Sequence, residues 1–239
     1  MRNIKFKTGV VYHIFNRGVD KRNIFNSEAD MWRFLQGMFL FNDKDSSFGI
    51  LREIERENNG KLNFILLKEF VEKNKNNRKP LIKIMADCLM PNHFHLIVQE
   101  IEEGGISKFM HKLGTGYTKY FNKKYDRTGS LFQGTFKAVP IENDLYLQYL
   151  LIYINIINPG QIIEPELKEK GVNNVEKVLE FAKNYSFCTN PDYLGRRESI
   201  VIDKGILRDI FDNQQRYQEF ARDILLSRKY NSASDLFLE

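Results

Sequence analysis

The sequence predicts an α+β domain over residues 1–160, followed by a helical region over 161–239. Three observations carry that prediction. Short runs of β-branched and aromatic residues occur at Val10–Phe15 and on both sides of Pro91-Asn92. Between these runs, apolar residues recur at helical spacing. Beyond Gly160 strand signals give way to amphipathic helical segments.

Composition narrows the class. A hydrophobic content of 42% supports a packed core, and 36 Lys and Arg against 31 Asp and Glu give a net charge of +5. That excess permits a phosphate-rich partner without demanding one. Cys88 and Cys188 cannot form a CxxC-type zinc site or a disulfide scaffold, and Cys88 reads as a buried free thiol. The first residues lack the apolar run of a secretory signal, and no stretch reaches membrane-spanning length. A soluble, cytoplasmic protein is the expectation.

In chain order, Val10-Val11-Tyr12-His13-Ile14-Phe15 reads as a strand entering the Asn16-Arg17-Gly18 turn. His13 shares a face with Val11 and Phe15 and reads as a core-edge histidine, which pairing beside the later histidines would bring to them. Ser27 and Asp30 stand at capping-box spacing, and Met31, Phe34, Leu35, Met38 and Phe39 mark the buried stripe of the helix that follows. Residues 43–80 carry charges of mixed sign and read as a surface excursion, with a short helix over 64–71. Lys83–Leu89 is then a strand, and Pro91-Asn92 supplies turn chemistry. Beyond it, Phe94, Leu96 and Val98 face one way and His93, His95 and Ile97 the other.

Ser107 opens a helix whose apolar residues include Phe109, Met110, Leu113, Tyr117 and Phe121, with Lys108, Lys112, Lys119, Lys123 and Lys124 between them. Gly114 and Gly116 within it predict a kink or a close approach. Residues 125–130 form a turn and 131–139 an extended segment. Asn143 or Asp144 caps a largely buried helix carrying Tyr146, Tyr149 and Tyr153 on one stripe, which Asn158-Pro159-Gly160 ends. Residues 172–185 are helical, 189–192 turn, and a longer amphipathic helix runs from Ile206 through Leu225.

The chemistry concentrates at His93 and His95. Two imidazoles side by side on one strand are nitrogen ligands for a divalent metal, although a pair that only hydrogen-bonds at a sheet surface has the same spacing. The lysine-bearing face of the 107–124 helix suits a polyanion or simply solvent. Tyr153, taken alone, reads as a buried core phenol.

Four motifs in order change the weighting: Tyr12–Gly18, Met90–Leu96, Gly129–Lys137, and Tyr153-Ile154 with Asn158-Pro159. Together, over residues 6–160, they resemble the HUH single-tyrosine transposases, specifically the REP-associated tyrosine transposase group of the IS200-like family. The resemblance implies a ferredoxin-like antiparallel sheet with helices packed on it. It also implies metal-dependent nicking and rejoining of single-stranded hairpin DNA. Tyr153 would be the nucleophile (Tyr149 in reserve), forming a 5′-phosphotyrosine link. His93 and His95 would hold Mg²⁺ or Mn²⁺, with Asn155 or Asn158 as a candidate third ligand. Arg17, Lys112, Lys119 and Lys137 are the candidate DNA contacts, and a homodimer and a monomer are both open. Two features depart from the family pattern. Tyr153 lies five residues before Asn158 where four is common, which on an α-helix rotates one against the other by about 100°. Thr135 stands where an Arg usually precedes Phe-Lys. A domesticated, non-catalytic binder of hairpin DNA on this fold, and a metal-dependent hydrolase with a water nucleophile, are the competing readings.

Overall fold

The computed structural model describes residues 4–44, 69 and 78–230, with side chains to 227. Four strands and two helices build the first unit: β1 (Val11–Arg17), α1 (Glu28–Phe41), β2 (Ile82–Met90), β3 (His93–Glu100), α2 (Gly105–Lys124) and β4 (Lys137–Pro140). The sheet order is β2-β3-β1-β4 and every neighbour is antiparallel. A β-α-β-β-α-β chain in that order is the ferredoxin-like topology. Most of the surface excursion, including all but Glu69 of the helix expected over 64–71, falls outside the described residues.

Each element forms for a local reason. The Ser27 amide donates to Asp30 Oδ2 at 3.1 Å, closing half of the capping box at the start of α1. Lys124 Nζ, 2.6 Å from Asp30 Oδ1, and Tyr125 Oη, 2.7 Å from Oδ2, also donate to the buried carboxylate, as do the Asn26 amide and the Tyr120 hydroxyl. The α1 and α2 axes approach closely at Gly116, where a Cβ would come within 2.8 Å of the Phe41 ring. One face of the sheet, with Ile14, Phe94, Leu96 and Val98, is sealed by these two helices into an aromatic core around Phe34.

The other face receives a helix that starts at Asn143, whose side chain accepts the Tyr146 amide at 2.8 Å. It runs as α3 (Asp144–Ile152), continues as a π-helix over Tyr153–Ile157, and resumes through Asn158–Gly160. The helix ends at Gly160, so Asn158-Pro159-Gly160 stops it as the sequence predicts, but as its last turn, with Pro159 inside the helix. The π segment lets the helix accept Pro159. The missing proline N–H matters less because the Asn155 carbonyl accepts from the Cys188 thiol at 3.6 Å.

The remaining helices are α4 (Leu167–Lys170), α5 (Val175–Asn184), α6 (Asn190–Tyr193), α7 (Leu207–Ile210) and α8 (Gln214–Tyr230). They share an apolar cluster with the α3 helix and with Met85, Ala86, Cys88 and Ile97 of the sheet. The single long helix expected from Ile206 is two, because Asn213 Oδ1 accepts the Arg216 amide and starts α8 afresh. The extended segment 131–139 is also shorter than predicted. Positive φ at Gly129 and Gly134 bends the chain, leaving a bridge between Phe132 and Gly18 and a strand only from Lys137. Along β2, backbone bonds from Leu89 to Phe187, Thr189 to Asp87 and Asp203 to Ile84 cover what would be an open edge.

Candidate active site

Register places the polar groups of the second face in rows. Arg17 stands opposite His93, Phe15 lies between His95 and Lys137, and His13 lies between Ile97 and Val139. His13, Phe15, Arg17, His93, His95 and Lys137 thus share one face across three strands. The sequence left His13 open between core edge and site, and strand pairing brings it to the site. Its Nε2 lies 2.8 Å from His95 Nδ1.

The ring nitrogens are oriented by their partners. Asn92 Nδ2 donates to the Lys21 carbonyl at 3.3 Å, which turns its Oδ1 toward His93 Nδ1 at 2.6 Å. An amide oxygen cannot donate, so His93 carries its proton on Nδ1 and its lone pair on Nε2. His95 is engaged through Nδ1 with His13, which again directs Nε2 away from the strand pair. Burial is the largest influence holding the His95 pKa well below the usual imidazole range, and His13, His93 and Lys168 act in the same direction. A neutral imidazole braced through Nδ1 is the form that ligates metals. Among the described residues no cluster of three or more His, Cys, Asp or Glu side chains is arranged to hold a metal ion. His93 and His95 on this face could each give an imidazole nitrogen to a metal ion.

Tyr153 lies against this pair. Its ring meets the His95 ring edge-on with centroids 5.6 Å apart, and it is 1% exposed. The π-helix begins at this residue, and the Asn158 amide donates to the Tyr153 carbonyl, an i→i+5 bond. The extra residue between Tyr153 and Asn158 is therefore absorbed as a π turn rather than as a 100° rotation. Such single π turns recur at functional sites.

Tyr149 goes elsewhere, packing at 5.7 Å on Phe220 of α8, so the predicted tyrosine stripe divides between two neighbours. Asn155 is fully buried with both ends of its side chain in use. Its Oδ1 accepts from Thr189 at 2.7 Å and its Nδ2 donates to Tyr217 at 3.0 Å. Asn158 Oδ1 accepts from Gln161, while its buried Nδ2 has no hydrogen-bond partner among the described residues.

Residues 49–156 match the family described as Transposase IS200 like. That span contains His93, His95 and Tyr153. A solved REP-associated tyrosine transposase bound to a REP hairpin aligns with 85% of this chain and 93% of its own, at 15% identity and a TM-score of 0.44. The tRNA(His) guanylyltransferase from Saccharomyces cerevisiae aligns with 78% of this chain and 76% of its own, at 11% identity and a TM-score of 0.30. No curated protein matches the chain.

The four candidate DNA contacts divide between the two faces of the sheet. Arg17 bonds Gln133 through Nε beside His93, and Lys137 Nζ sits 5.6 Å from the Phe15 ring centroid. Phe15 in turn stacks on His95 at 5.6 Å. Lys112 and Lys119 lie on α2, against the opposite face, and Lys112 Nζ donates to the Asp43 carbonyl at 2.7 Å. Among the described residues no helix is long and apolar enough to cross a membrane.

Lys168 is the functional candidate that the sequence did not reveal. It is half-buried, its Nζ lies 5.7 Å from the Tyr153 ring centroid, and its charge weighs against protonation of His95. No motif surrounds it, and its place depends on the chain returning past Gly160.

Proposed function

We propose that this protein is a transposase that nicks and rejoins single-stranded hairpin DNA through Tyr153. The observation that carries the reading is the contact between the Tyr153 ring and His95, inside a span that matches the transposase family. The phenol oxygen attacks a phosphate; its bond to phosphorus forms as the bond from phosphorus to the 3′ oxygen breaks. The phenol proton passes through water to the departing 3′ oxygen, leaving a free 3′-hydroxyl and a 5′-phosphotyrosine. Reversal by a 3′-hydroxyl rejoins the strand without ATP, because the covalent link keeps the bond energy.

His93 and His95, each presenting Nε2, are the residues that would hold Mg²⁺ or Mn²⁺. When bound there, such an ion would offset the negative charge gathered on the phosphate. Asn92 and His13 fix the two rings, and Arg17 and Lys137 flank them as cations for the DNA backbone. Tyr153 is closed off from solvent, so entry of a phosphate requires neighbouring side chains to shift.

Covalent trapping tests the reading. Labelled hairpin DNA drawn from the sequence flanking the gene is incubated with the protein and Mn²⁺ or Mg²⁺, then resolved on a denaturing gel. The expected result is a protein–DNA adduct that is absent in Tyr153→Phe, retained in Tyr149→Phe and lost in His95→Ala. Hairpin binding with no adduct in any lane would favour a binding-only protein. Strand cleavage without an adduct would favour a water nucleophile.

A further inference from the structure

The sequence motifs end at Pro159, yet the next segment turns back over the site. Gly160 permits it: a Cβ there would approach Val178 Cγ1 to 2.9 Å and Leu167 Cδ1 to 3.0 Å. Leu167, 1% exposed, anchors α4 in the cluster shared with Tyr153. Glu164 braces the far side of the segment, accepting the Asn173 and Asn174 amides at 2.9 and 3.1 Å. The next residue after the Leu167 anchor is Lys168, with its Nζ 5.7 Å from the centroid of the Tyr153 ring.

We infer that Lys168 grips the phosphate that Tyr153 attacks, so that the segment after the recognised motifs supplies part of the substrate site. The inference rests on the transposase reading above. A phosphate in bonding reach of the Tyr153 oxygen stands at the border of its ring, and a lysine stem of four carbons reaches from the ring face to that border. Arg17 and Lys137 approach from the sheet, on the β1 and β4 side of His95. Lys168 approaches from the helical side. A phosphate between them is met by cations from opposite walls. Lys168 is thus a binding residue for the reacting group.

The test is a two-by-two binding cycle. Adduct mapping with the wild-type chain first locates the scissile linkage. Binding is then measured in the Tyr153→Phe background, with chelator present, using DNA that carries either the natural phosphate or a neutral methylphosphonate at that linkage. Lys168→Met is expected to weaken binding of the natural DNA by about five- to tenfold and to reduce the salt slope by about 0.7, the release expected for one contact on a single strand. The same substitution is expected to change nothing on the methylphosphonate DNA, and Lys168→Arg to retain most of the affinity. Equal losses on both DNAs, or no loss on either, would overturn the assignment while the wild-type adduct keeps the transposase reading intact. An absence of both adduct and hairpin binding in the wild type would remove the transposase reading, and this inference with it.

Discussion

The sheet has two faces made from the same strands, and they are filled by opposite means. Against α1 and α2, Phe34 touches Phe25, Phe94 and Tyr117 at centroid separations of 5.3, 5.0 and 5.0 Å, and Tyr117 spends its hydroxyl on the Ile24 carbonyl. Against the α3 helix, the buried Tyr153 ring meets His95, and Asn155 of the same helix is held by Thr189 and Tyr217. Both faces are dry. The first holds shape mainly through packed rings, while the second also depends on donors and acceptors whose directions must agree. The first face can change chemistry little without unfolding, and the second can lose chemistry while staying folded.

Truncation gives the largest separation of the two. Phe34→Ala removes a ring that is 1% exposed and leaves a cavity among other rings, at a cost of about 3–5 kcal/mol. Tyr153→Phe keeps the ring and is expected to cost no more than about 1–2 kcal/mol, the range of one buried hydrogen bond, while abolishing the adduct. Urea titrations of both variants beside the trapping gel measure this. A Tyr153→Phe variant as unstable as Phe34→Ala would mean that the phenol is a core element and that the contrast between faces is false.

A smaller and pH-dependent effect is expected at the edge of β2. Burial pushes the Asp87 carboxyl up to about 7; the charge of Arg197 opposes the shift and Asp192 adds to it. The folded chain therefore retains a proton between about pH 4 and 7 that the unfolded chain has released. Stability contributed by this group is complete below the unfolded value and is lost as pH rises through about 7. Asp87→Asn should flatten that slope and stabilise the protein at pH 8 by up to a few kcal/mol, less whatever attraction to Arg197 disappears. Unfolding curves of both proteins at pH 5 and 8 decide the point, and parallel pH dependence would dismiss Asp87 as its source.

What was legible in the sequence follows the same division. Alternation in residues 93–98 exposed both faces of β3, and Ser27 with Asp30 marked the start of α1, because each signal is local. The candidate site was legible as motifs in order, and His93, His95 and Tyr153 do converge. The π turn was visible only as one residue too many between Tyr153 and Asn158, since nothing local distinguishes a rotation from an i→i+5 bond. The hydrogen bonds that occupy Asn155 come from Thr189 and Tyr217, more than 30 residues away. Lys168 owes its place to the packing of Leu167, which no spacing rule records. Asn213 was a readable cap that an uninterrupted apolar pattern concealed.

The two glycines of α2 offer the finest test, because they differ only in what they face. At Gly114 a Cβ meets nothing within 4 Å, so Gly114→Ala should stabilise by about 0.5–1 kcal/mol through reduced backbone freedom in the unfolded chain. At Gly116 the same methyl would lie 2.8 Å from Cε2 and Cζ of Phe41, a ring that is 6% exposed and held between α1 and α2. The ring must shift, at about 1–3 kcal/mol, which outweighs the gain in helix propensity. The two alanine variants should therefore move the urea midpoint in opposite directions. Equal shifts would mean that Phe41 swings aside freely and that the aromatic face is looser than its ring contacts imply. Opposite shifts would locate the close approach of the helices at Gly116, one of the two outcomes the glycines in this helix allowed from sequence.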